Sequence, residues 1–223
     1  NYLVAVSIFS FLIVTAHFLS TGFITRTLDY FHEGLTLSYA LNYYKTGLLW
    51  SGSYLSNSLF SDIYSAIIPW NIFETISVGS YQFFHYFLRY LTEIFLILFL
   101  YKLCCVYDFK NLTQNILFIL ILIFGLKLNR DLTEVFYPFR YRDIPIFLFL
   151  FLSIDLIKYE KFKFLTPFFI GALTSLTFLW SLDRGVYCLV GMLLLIIILL
   201  LNRKFVSVLF IISGLLISLT FLF

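Results

Sequence analysis

Two carboxylates and an imidazole fall close together in the segment Asp29-Tyr30-Phe31-His32-Glu33-Gly34. Asp29 and Glu33 are four positions apart, so a helical turn puts them on one face. There they could share a divalent cation, Mg or Mn, or divide the roles of general base and metal ligand. The plainer alternative is a helix start whose acids are favoured by the helix dipole. Both readings stand at this point.

A second charged group runs from Lys127-Leu128-Asn129-Arg130-Asp131 to Arg140-Tyr141-Arg142-Asp143, just ahead of Pro145. Arg140 and Arg142 are the type of residue that grips phosphate or carboxylate with two parallel hydrogen bonds. The alternative is arginine snorkelling at the end of a membrane span, with Asp143 serving as a helix cap. A third group, Ser181-Leu182-Asp183-Arg184-Gly185-Val186-Tyr187, is a charged turn between apolar runs. It is read either as a solvated tight turn or as Asp183 and Arg184 lining a cavity shared with the first group, since ionisable residues near membrane depth commonly serve function.

Arg89 and Glu93 are spaced to pair along one helix face, and His17 reads as an interior hydrogen-bonded histidine rather than a ligand. The sequence holds no phosphate-cradling glycine loop, no serine nucleophile elbow and no His-Glu-x-x-His pattern. Any chemistry here is carboxylate-based.

The elements that position these residues are read from the apolar runs. Of 223 residues 61% are hydrophobic and 12% charged, with a mean hydropathy of +0.98. Soluble domains carry roughly 25% charged residues, so the expectation is an integral membrane protein rather than a water-soluble domain. Helices satisfy their own backbone groups inside lipid. The fold expected is therefore all-α, a polytopic transmembrane bundle of about seven spans.

The spans are placed at Leu3–Ile24, Phe83–Cys105, Leu112–Leu126, Ile144–Ile157, Phe164–Leu182, Val186–Leu201 and Phe205–Phe223. The third and fourth are short, which implies tilt or half-spans lining a cavity. Residues 1–223 form a single transmembrane domain with a long outer loop over residues 25–82. Within that loop Leu35–Tyr44, stopped by Gly47, and Leu59–Ile68, ended by Pro69, read as interfacial helices. Trp50, Trp70 and the many tyrosines suit a membrane-interface belt.

The first run lacks a basic leader and a cleavage site, and reads as a retained span. The chain opens on Asn1 and stops at Phe223 inside an apolar run, so it is expected to be the N-terminal module of a longer protein. A net charge of +3, divided among short loops, excludes a nucleic-acid partner. With the first span running outward, most lysines, among them Lys102, Lys158 and Lys204, fall inside, while most arginines fall outside or within spans. Cys104, Cys105 and Cys188 are placed for neither a disulfide nor a thiolate metal site. The sequon at Asn111 falls on the inner side, where no glycan would be added.

A first span followed at once by Asp29 and His32-Glu33-Gly34, a long outer loop through Gly47, Asp62 and Pro69, and the later Arg142-Asp143 and Asp183-Arg184-Gly185-Tyr187 segments together resemble the GT-C superfamily of polytopic membrane glycosyltransferases. The likeness spans nearly the whole chain as topology and about twenty residues as motif. It implies transfer of a sugar from a polyprenyl-phosphate carrier to an acceptor on the outer face of a bacterial inner membrane. Membrane lipids and the lipid-linked sugar are the implied partners.

In that family an acid in the first outer loop is the general base, and this implies the role for Asp29, with Glu33 or His32 assisting. Arg140, Arg142 and Arg184 are implied to hold the carrier phosphate, with Asp143 and Asp183 beside them. The first loop has no Asp-x-Asp pair, which leaves metal use open. Two other classes compete with this reading: a transporter or flippase of lipid-linked sugars, which should show paired structural repeats, and a non-catalytic assembly subunit.

Overall fold

A chain this apolar has few side chains with which to satisfy its backbone, and helices do so within themselves. A computed structural model describes residues 2–21, 32–49, 58–106, 141–159 and 164–220, and among them the structure is helical throughout, without a strand. Helices α1 (Tyr2–Thr21) and α2 (His32–Thr46) are followed by a π turn at Phe60–Tyr64 that runs into α3 (Ser65–Ile72) and, after a bend, α4 (Val78–Val106). A 3-10 turn at Tyr141–Asp143 leads into α5 (Ile144–Ile154) and a second π turn at Asp155–Tyr159. Three helices complete the bundle: α6 (Leu165–Trp180), α7 (Leu182–Leu201) and α8 (Phe205–Thr220).

Helices thus occupy most of the expected positions, but the expected count of spans is not supported. Among the described residues α7 alone is both long and apolar enough to cross a bilayer. Its 20 residues rise about 30 Å, the thickness of a hydrocarbon core. The apolar helices α6 and α8 have 16 residues each and rise only about 24 Å. Helix α5 has 11. Apolar composition marked these runs; α5 runs on into the π turn at Asp155–Tyr159, and Ser181 stops α6. The span expected at Leu112–Leu126 lies outside the described residues.

Two boundaries are corrected. Pro69 does not end its helix: α3 continues to Ile72, and the Phe73 N–H closes onto the Pro69 carbonyl at 2.9 Å. The extra turn is held by Trp70, buried with Ala40, Ile63, Ala66, Ile67 and Tyr81 in a small core between α2, α3 and α4. The sixth span was expected to start at Val186, yet α7 starts at Leu182, because Ser181 alone is extended and breaks the chain between α6 and α7. Gly47 ends α2 as expected, at φ 67° with its N–H on the Tyr43 carbonyl at 2.8 Å.

Two further cores hold the remaining helices. Val14 of α1 packs with Leu96, Ile97 and Leu100 of α4 and Phe147 of α5. Cys188, Met192, Leu195 and Leu199 recur every three or four residues along α7, so they form one inward stripe against Ile170 of α6 and Ile211 of α8. Only 28% of the most apolar 18-residue stretch of α7 is buried inside the protein. Its outer face presents Val190, Leu193, Leu194 and Ile197 uncovered.

Candidate functional site

The carbonyls in the last turn of a helix have no partner within it, and at the end of α6 they organise a polar cluster. The Ser181 N–H reaches the Thr177 carbonyl at 2.7 Å and closes α6; the Gly185 N–H returns to the Ser181 carbonyl at 2.9 Å and opens α7. The next free carbonyl, that of Trp180, accepts two hydroxyls from the distant loop, Ser58 Oγ at 2.7 Å and Ser61 Oγ at 2.9 Å. Phe60 stacks on the Trp180 indole at 3.8 Å and 10°. Trp180 Nε1 in turn donates to the Tyr141 carbonyl at 3.1 Å. One tryptophan therefore fastens the π turn, the end of α6 and the start of α5 together.

This junction delivers the charges. Asp183 sits in the first turn of α7, where its carboxylate accepts the Ser181 hydroxyl, the Arg184 N–H at 2.9 Å and Arg184 Nη1 at 2.5 Å. Arg184 Nε donates at 2.6 Å to Asp143, 41 positions earlier in the chain and buried at 6% exposure. The guanidinium thus bridges two carboxylates and lies 5.8 Å from the Tyr187 ring centroid. Arg142 precedes Asp143 and its positive charge acts on Asp183. Two cations and two anions meet here, so the formal charges of the four cancel.

Of the expected site residues, the structure brings together Arg142, Asp143, Asp183 and Arg184. Asp143 is the residue before α5, but its side chain makes no capping bond and turns to Arg184; the capping alternative is thereby corrected. Glu33 is buried in the first turn of α2, a helix that packs on the π turn, which also touches α6. His32 is the first residue of α2. Asp29 and Arg140 lie outside the described residues. Arg89 and Glu93 do pair on α4, at 3.8 Å.

Sequence reasoning missed Ser58, Ser61, Trp180 and His85, whose ring lies 4.8 Å from that of Tyr141 and 4.2 Å from that of Tyr81. No local pattern could have found the serines, whose partner is over a hundred residues away. Asp62, 1% exposed within the π turn, receives the Ser58 N–H at 3.3 Å; widened turns of this kind recur at functional sites.

Among the described residues no three His, Cys, Asp or Glu side chains group as a cation would require. The expected pairing of Asp29 with Glu33 lies partly outside the described residues.

An arginine bridging two carboxylates can do one of two things chemically. It can stay locked as a clasp, or it can exchange a carboxylate for an incoming phosphate of matching geometry. The bridge uses two of the five guanidinium donors, so such an exchange need not vacate both anions.

Among the described residues the fold is all-α, with one bilayer-length apolar helix and a guanidinium–carboxylate cluster at the start of that helix. No protein-family model matches the chain, and neither a curated protein nor a solved structure matches it.

Proposed function

We propose that the protein is a multi-pass membrane glycosyltransferase that resembles the GT-C superfamily and moves a sugar from a polyprenyl-phosphate donor to an acceptor hydroxyl. Its site faces outward from a bacterial inner membrane. The observation that carries this reading is the convergence of Arg142, Asp143, Asp183 and Arg184 at the start of α7. Charges gathered at that level of an apolar helix are costly unless they bind something or hold something in place.

The multi-pass reading draws on the apolar side chains that α7 and α8 leave uncovered, Leu193, Leu194, Leu209 and Leu216 among them. Lipid would cover them. Helices α1, α4, α6 and α8 would cross beside α7 in a bundle of about seven spans, with the shorter ones accommodated by local thinning and snorkelling ends.

In the proposed step Asp29 takes the proton of the acceptor hydroxyl as that oxygen attacks the anomeric carbon. The bond from that carbon to the phosphate oxygen breaks, and the electron pair leaves with polyprenyl phosphate. Arg140, Arg142 and Arg184 neutralise the departing phosphate, while His32 and Glu33 orient the acceptor. A single displacement inverts the sugar.

The test is sugar transfer in membranes from a panel of polyprenyl-phosphate sugars, with the full-length wild type beside Asp29→Asn and Arg142→Gln. The expected result is transfer by the wild type and a loss of at least a hundredfold in Asp29→Asn at unchanged membrane insertion. Activity indifferent to Asp29 would overturn the base assignment. Passage of the lipid-linked sugar across the membrane without transfer would replace the enzyme with a flippase.

A further inference from the structure

At the end of α7 remote from the charged cluster, the chain turns into α8 through Asn202, Arg203 and Lys204. The Arg203 N–H bonds the Leu200 carbonyl at 2.9 Å and the Lys204 N–H bonds the Leu199 carbonyl at 2.8 Å. This pair of bonds closes a helix around one left-handed residue, a position that glycine fills without steric penalty. Here the residue is Arg203, at φ 57°. The fold of the turn gains nothing from an arginine at that position.

The same turn borders a cavity of about 360 Å³. Leu156, Phe164 and Phe205 wall it with apolar surface, and Arg203, Lys204 and Ser207 line its polar part. Asp155, the acid beside Leu156, is paired with Lys102 of α4. The lining of the cavity therefore combines two basic residues and a hydroxyl-bearing one with aliphatic and aromatic residues. It lies at the ends of α6, α7 and α8, which is the headgroup level if α7 crosses a bilayer.

From this geometry we infer that the cavity seats the headgroup of one anionic phospholipid. The inference rests on the membrane-spanning reading and is independent of sugar transfer. Arg203 and Lys204 hold the phosphate by charge-assisted hydrogen bonds, Ser207 adds a hydroxyl donor, and the first methylenes of the acyl chains lie against Leu156, Phe164 and Phe205. A cavity of this volume admits a headgroup and little more, so the chains run on into the bilayer. Basic pockets between spanning helices are the usual seats of anionic headgroups. A soluble phosphate would leave the apolar walls without a partner, whereas a zwitterionic lipid would bring its own cation to the two basic residues. Charge complementarity therefore selects a lipid of net negative charge.

The test measures lipid retention by the full chain purified in mild detergent, using native mass spectrometry with phosphatidylglycerol and phosphatidylcholine of the same chain length. The wild type is expected to retain one phosphatidylglycerol at a concentration at least tenfold below that needed for phosphatidylcholine. Arg203→Gly removes a cation while relaxing the backbone, so it should weaken retention severalfold with a Tm no lower than the wild type. Arg203→Gly with Lys204→Gln should abolish the preference. Ser207→Trp, which fills the cavity and leaves both cations in place, should abolish it too, separating a seat from diffuse surface charge. Equal retention of the two lipids would overturn the inference, as would a preference that survives both the charge and the filling variants. So would displacement of the lipid by millimolar inorganic phosphate, which would mark a small-anion site instead.

Discussion

Asp143 precedes a helix and caps nothing, because Arg184 draws its carboxylate across to α7. The two acids on Arg184 are unequal: Asp143 is nearly enclosed, while the Asp183 side chain is half exposed. Removing one partner of an enclosed pair strands the other, a loss of roughly 3 kcal/mol, whereas an exposed pair is worth less than about 1 kcal/mol. Asp143→Asn should therefore lower unfolding stability by about 2–3 kcal/mol, and Asp183→Asn by well under half of that. Denaturant titration in detergent reads both, and a double-mutant cycle of Asp143→Asn with Arg184→Gln should show the two losses to be strongly non-additive. Equal, small effects would mean that Arg184 is not held by Asp143. The residue types of this cluster were legible in the sequence, since Arg142, Asp143, Asp183 and Arg184 all stand out as charges among apolar runs. Their pairing was not, because Asp143 and Arg184 are 41 positions apart and meet where the Trp180 indole N–H finds the Tyr141 carbonyl, itself 39 positions away.

Helices α6 and α8 meet so closely that backbone touches backbone. A methyl group on Gly171 would stand 1.9 Å from the Ile211 carbonyl oxygen, and one on Gly214 would stand 2.1 Å from that of Phe168. Neither neighbour is a flexible side chain that could swing aside, so the two helices would have to part. Gly171→Ala and Gly214→Ala should each cost about 3 kcal/mol or more. Gly34→Ala, in α2 with no described atom within 4 Å of the added carbon, should instead stabilise by roughly 0.5–1 kcal/mol, as alanine does in a helix. Opposite signs in thermal melts of the three variants check the α6–α8 contact against general intolerance of glycine replacement. Apolar run length was enough to place these helices in the sequence, and Gly47 to stop α2. It could not single out Gly171 and Gly214, whose role exists only once a partner helix is chosen. Nor could it carry α3 past Pro69, a turn held by the burial of Trp70.

For the molecule as a whole, composition made helices and extensive apolar surface legible, but among the described residues only α7 has the length and hydropathy of a span. An apolar run marks what lipid would tolerate, not where a helix stops, and as described α5, α6 and α8 are each shorter than a hydrocarbon core is thick. Helix α7 is the element on which the membrane reading turns. It has the required length, and its buried residues form a single stripe with apolar side chains on the opposite face, a pattern that lipid satisfies and water does not. If α7 crosses, its two ends lie on opposite sides of the bilayer. Thr75, exposed in the bend between α3 and α4, belongs to the end that carries the Arg184 cluster. Asn202, exposed at the close of α7, belongs to the other. With Cys104, Cys105 and Cys188 replaced by serine, a cysteine at Thr75 should react with a membrane-impermeant maleimide in intact cells, and one at Asn202 only after the membrane is opened. The reverse pattern would keep the crossing and invert the orientation, turning the cluster inward and removing the outward-facing transferase. Labelling of both sites under the same condition would place both ends of α7 on one side, and the multi-pass fold would have to be given up.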